Sequence, residues 1–87
     1  MPDKNTLKHP AYTAACQGMQ FSSALIIISK NDESICRRKI WGESIRHVYI
    51  EHCDKEGERL IFVNDFGKLN YYIPSIDDLT ADDWLAG

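Results

Sequence analysis

His47, His52 and Cys53 are the residues of this chain whose types most readily suggest reactive chemistry, because imidazole and thiolate are zinc ligands and nucleophilic partners. No fourth ligand stands at a spacing that would complete a tetrahedral site. No third group is indicated to orient a Cys–His nucleophile pair. The sequence therefore predicts neither a metal, nor a cofactor, nor catalysis. The cysteines, Cys16, Cys36 and Cys53, number three, cannot all pair within one chain and show no CxxC spacing. They read as free thiols, small hydrophobes where buried. A net charge of -3 opposes wrapping a nucleic-acid backbone, which calls for a basic face. A small anionic ligand needs only a few placed cations and stays compatible with that balance.

The elements that must position any site come from an 87-residue chain, enough for one domain with a marginal core. Its hydrophobic fraction of 44% and charged fraction of 26% are those of a globular protein. No apolar run approaches the roughly 18 residues of a membrane span. Met1-Pro2-Asp3-Lys4 lacks the apolar stretch of a secretion signal, which points to a cytoplasm. Residues 1–20 are polar, carry Pro2 and Pro10 and show no clean period, so they are expected to form an arm or tail ahead of a domain at 21–87.

Phe21, Ala24, Leu25 and Ile28 fall on one face of a helix predicted over Phe21–Lys30, although Ile26-Ile27-Ile28 prefers strands. Short strands are predicted at Ser34–Arg38, Ile45–His52, Glu58–Asn64 and Leu69–Ile73. In the second, Val48 and Ile50 alternate against His47 and Tyr49. Asp54-Lys55-Glu56-Gly57 reads as the turn of a hairpin, and Pro74 stops the last strand. Ser75 suits the N-cap of a short helix with Asp77 and Asp78 in its first turn. Trp84 closes the chain in a last short strand. The expected class is α+β: an N-terminal helix packed on a mostly antiparallel sheet, with a short C-terminal helical turn.

Two segments resemble the second type of phage Thoeris anti-defence domain. Phe21, Ala24 and Leu25 match its opening F-x-x-A-L, and Arg38 and Trp41 its R-x-x-W. Tyr72 to Trp84 matches a closing pattern near W-x-P-S-x-x-D-L-x-A-x-D-W in register, with Tyr72 replacing the leading Trp. The turn after the first helix is longer than usual, and Gly42 stands where Asn is customary. The resemblance implies a non-catalytic sponge that holds cyclic ADP-ribose signals or cyclic oligonucleotides. It also implies homotetramers with ligand pockets where protomers meet.

Such a ligand offers a base, riboses and phosphates. Against it, Trp41, Trp84 and Tyr72 would supply stacking faces, worth about 1–3 kcal/mol per base. Arg37 or Arg38 would supply bidentate charge. Strand alternation sends the two arginines to opposite faces, and the family pattern favours Arg38. Asp83 or Asn70 would meet ribose hydroxyls, and Phe21 would border the pocket or staple its helix. Each has a plainer reading. Trp84 suits core packing more than ligand contact, Trp41 beside Gly42 suits a binding turn, and Asp77, Asp78, Asp82 and Asp83 suit helix-start charge and solvated surface. Competing functions are a module that inhibits a host protein through exposed aromatics, and a phosphodiesterase that destroys the signal.

Overall fold

Burial overrides local preference at the start of the domain. In the computed structural model, which describes His9, Ala11 and residues 18–55 and 57–87, Phe21–Lys30 forms helix α1 despite its isoleucine run. Phe21, Ala24 and Ile28 are buried on one face, which offsets the cost of β-branched residues in a helix. Lys30 in the last turn complements the dipole, and the Asn31 side chain donates back to the carbonyl of Ile27 at 3.2 Å.

Strands β1 (Cys36–Arg38), β2 (His47–Cys53), β3 (Gly57–Val63), β4 (Leu69–Tyr71) and β5 (Trp84–Ala86) make one five-stranded sheet of order β4-β3-β2-β1-β5. All its pairings are antiparallel. The β2–β3 hairpin runs from His47↔Val63 to Cys53↔Gly57, and Gly57 adopts φ +80, which a side chain would resist. At the next turn the Asn64 carboxamide accepts from the backbone of Phe66 and Lys68, an Asx-type closure. Between β4 and β5, α2 (Ile76–Thr80) is capped by Ser75, whose hydroxyl accepts from the Asp78 amide at 3.1 Å.

This α+β architecture is the class read from the sequence, and α1 keeps its expected bounds. The first and fourth strands are shorter than expected. β1 begins at Cys36, and β4 ends at Tyr71, so that Ile73 projects 87% exposed. The expected arm at 1–20 lies mostly outside the described residues. Met19, within it, exchanges backbone bonds with Trp84 at 2.8 and 3.0 Å and lines the outer side of β5.

The core sits between α1 and one face of the sheet: Phe21, Ala24 and Ile28 against Cys36, Val48 and Trp84. Val48 and Ile50 point to this face, as the alternation of β2 requires. Burial pushes the Cys36 thiol up to about 12, where it behaves as an inert apolar group.

Candidate functional site

β1 is only three residues long, yet it sends one arginine to each side of the sheet. Arg37 is 1% exposed and donates to the carbonyls of Gly42 and Ser44, tying the following loop to the sheet. Arg38 points to the helix side, where α2 and β5 return. Its Nε donates to Asp83 and its Nη1 to Asp78 Oδ1 at 2.9 Å, with Asp77 at 4.0 Å. Burial alone would lower the Arg38 guanidinium, but hydrogen bonds and charge from Asp83 and Asp78 outweigh it and hold it above its ordinary value.

Asp78 and Asp83 are therefore not the solvated surface charges that the sequence suggested. They lie 40 and 45 residues from Arg38 along the chain and meet it only because β5 pairs with β1. Asp83 Oδ2 also accepts from the Ile40 amide at 3.1 Å, and its carbonyl from the Lys39 amide at 2.9 Å. These bonds pin the 3-10 turn Lys39–Trp41, which carries Trp41. Asp78 is held as firmly: its carbonyl accepts the Trp84 indole N–H at 2.8 Å and its Oδ2 the Tyr72 hydroxyl at 2.7 Å. Burial, then the bond and charge of Asp78, hold the Tyr72 phenol far above its ordinary value, so it stays a donor.

The expected aromatic residues converge on this frame. Trp84 is fully buried, with Phe21 at 4.7 Å, Trp41 at 5.5 Å and Tyr72 at 6.3 Å between ring centroids. Phe62, which the sequence did not single out, completes the cluster at 5.6 Å from Trp41 and 6.0 Å from Tyr72. Most of these contacts are edge-on, the arrangement aromatic quadrupoles favour. Trp84 and Phe21 are thus scaffold, whereas Trp41 is only half-buried. Trp41, Phe62, Tyr71, Tyr72, Ile73 and Asp78 line an open recess of about 390 Å³, within the range of small-ligand sites. Arg46, also unforeseen, holds its guanidinium 5.7 Å from the Trp41 ring, with its Nε on Ser44 Oγ at 3.0 Å and 3.4 Å from Asp65.

Of the residues expected to bind, Trp41 and Tyr72 line the recess, Arg38 and Asp83 stand behind it, and Phe21 and Trp84 support it. Asn70 lies outside it, on edge strand β4 opposite Phe62. Arg38 donates through Nε and Nη1 to carboxylates, while Arg46 lies over the Trp41 ring and Arg59 over the Tyr71 ring, at 5.7 and 5.3 Å. Two other hollows lie beside α1: one of about 540 Å³ against α2, lined by Phe21, Leu25, Leu79 and Ala81 with Gln20, Ser22 and Thr80, and one of about 380 Å³ against β3.

Residues 19–86 match the family model described as the Thoeris anti-defense 2-like domain. No curated protein matches the chain in sequence.

Proposed function

This chain belongs to the Thoeris anti-defense 2-like family, whose role is phage counter-defence, and from that premise we propose that it sequesters a cyclic nucleotide signal without cleaving it. The observation that carries the reading is the recess beside Trp41. It offers aromatic faces for a base and a carboxylate in Asp78, and Arg46, outside its lining, places a cation over the Trp41 ring. Cyclic ADP-ribose-type signals and cyclic oligonucleotides present the complementary groups. The reading asks no group to attack or transfer: Asp78 and Asp83 accept hydrogen bonds that orient the site.

A sponge has to compete with an effector, which calls for low-nanomolar affinity, on the order of -12 kcal/mol. One stack and one charge contact fall short of that. A second protomer over the recess supplies the difference, and exposed apolar groups at and near it favour such an assembly: Ile40 at 72%, Tyr71 at 66% and Ile73 at 87%. We take the assembly to be a homotetramer acting in the host cytoplasm, where the signal travels.

The test is to mix the protein with a cyclic ADP-ribose signal, remove unbound ligand, denature by heat and weigh the released nucleotide by mass spectrometry. Recovery of intact ligand is the expected result, and a cleaved product would make the protein a phosphodiesterase. The same exposed apolar groups suit a host polypeptide. A stable complex with one, together with no nucleotide bound, would favour an inhibitory interaction module.

A further inference from the structure

The recess has an electrical direction. At the Tyr72 hydroxyl end stand Asp78, Asp83 and the exposed Asp77 around a single guanidinium, Arg38, so that end carries excess negative charge. Arg46 lies by the Trp41 ring instead, with its side chain 35% exposed. A phosphate brought to Asp78 would meet like charge, whereas at Arg46, which has one carboxylate beside it in Asp65, it would meet a partly exposed cation. Asp78 Oδ1 and Oδ2 each accept one bond, from Arg38 and from Tyr72, and a carboxylate oxygen can accept more than one. Both neighbours are donors. What remains at Asp78 itself is acceptor capacity, so its carboxylate can meet a donor on the ligand but not a carbonyl.

Building on the sponge reading, we propose that Asp78 is the specificity-determining residue of the recess. It takes the amine-bearing edge of a purine stacked on Trp41 and leaves the phosphates outward at Arg46. A base with an exocyclic amine donates to the spare lone pairs. A base carrying a carbonyl at the same position sets oxygen against carboxylate, and an unpaired acceptor facing an acceptor is what a polar site discriminates best. Arg38 and Tyr72 are positioning residues here, because they fix the carboxylate and do not meet the base.

The probes are a cyclic ADP-ribose with its adenine amine free and the deaminated, hypoxanthine form of the same ring, titrated calorimetrically into wild type, Asp78→Asn and Tyr72→Phe. Wild type is expected to prefer the adenine form by tenfold or more. Asp78→Asn, whose amide can also donate, should reduce the preference below threefold, while Tyr72→Phe, which keeps the carboxylate, should retain most of it. Equal affinity of wild type for both probes, or an Asp78→Asn variant with undiminished preference, overturns the assignment of Asp78 and leaves the sponge standing. Failure of wild type to bind either probe, while it captures a cyclic oligonucleotide, overturns this inference alone; failure to bind any of them removes the sponge reading as well.

Discussion

Replacing Arg37 by Ala removes the donors that meet the Gly42 and Ser44 carbonyls inside the protein, and should cost about 2–3 kcal/mol in chemical denaturation. Arg38→Ala leaves Asp78 and Asp83 facing each other without their shared cation. It should lower stability by about 2–4 kcal/mol and weaken ligand capture as well, because both the Trp41 turn and the recess carboxylate lose their tether. If capture by Arg38→Ala equals wild type in calorimetry, the tether is dispensable. Trp41→Ala removes the half-exposed stacking face and should cost about 1–3 kcal/mol of binding with the fold retained; unchanged affinity would exclude Trp41 from the site. His47 behaves differently. Burial is the main cause that lowers its pKa below the ordinary 6.5, so the folded state resists its protonation. Its contribution to stability is therefore full above 6.5 and declines as pH falls from there through the depressed folded value. His47→Gln should flatten the loss of stability between about pH 7 and 5, as read by thermal melts.

Elements differ in how openly the chain announces them. The helix face of α1, the β2–β3 hairpin and the Ser75 cap rest on neighbours within a few residues, and all are readable from spacing and residue type. The partners of Arg38 are not, since carboxylates 40 and 45 residues away look the same as any helix-start or surface aspartates until β5 docks on β1. Phe62 escaped for a related reason: it lies outside both segments that carry the family resemblance, and its role emerges only from the register Val48↔Phe62. β4 ends at Tyr71, although the Tyr72 amide still donates to the Leu60 carbonyl at 3.0 Å, an end that the apolar run up to Ile73 does not reveal. Gly18 tests this packing. A Cβ there would lie 2.5 Å from the Asp82 carbonyl oxygen and 2.7 Å from the Asp83 Cα, both backbone atoms. Gly18→Ala should cost about 1–3 kcal/mol and loosen the Asp83 end of the site; a melting temperature equal to wild type would show that the segment can shift freely.

For the molecule as a whole, the proposed function ties ligand capture to assembly through the exposed apolar groups at and near the recess. Ile73→Glu places charge on a side chain that the proposed interface buries, and should shift sedimentation toward smaller species while weakening capture. Unaltered sedimentation would put Ile73 outside the contact. Trp84→Ala should act on folding, because the indole is fully buried, and should cost about 3–5 kcal/mol. The strand order has a kinetic consequence too. β5 joins β1 across most of the domain, with Arg37↔Leu85 and Arg38↔Trp84 in register, and on its other side it pairs with Met19 across a longer span still. Local structure such as the β2–β3 hairpin can form without it, but Arg38 has no carboxylates and the Trp41 turn no tether until residues 83–86 arrive. On the proposed function, competence to capture a signal would wait on this long-range closure, which loop entropy sets later than the local hairpin.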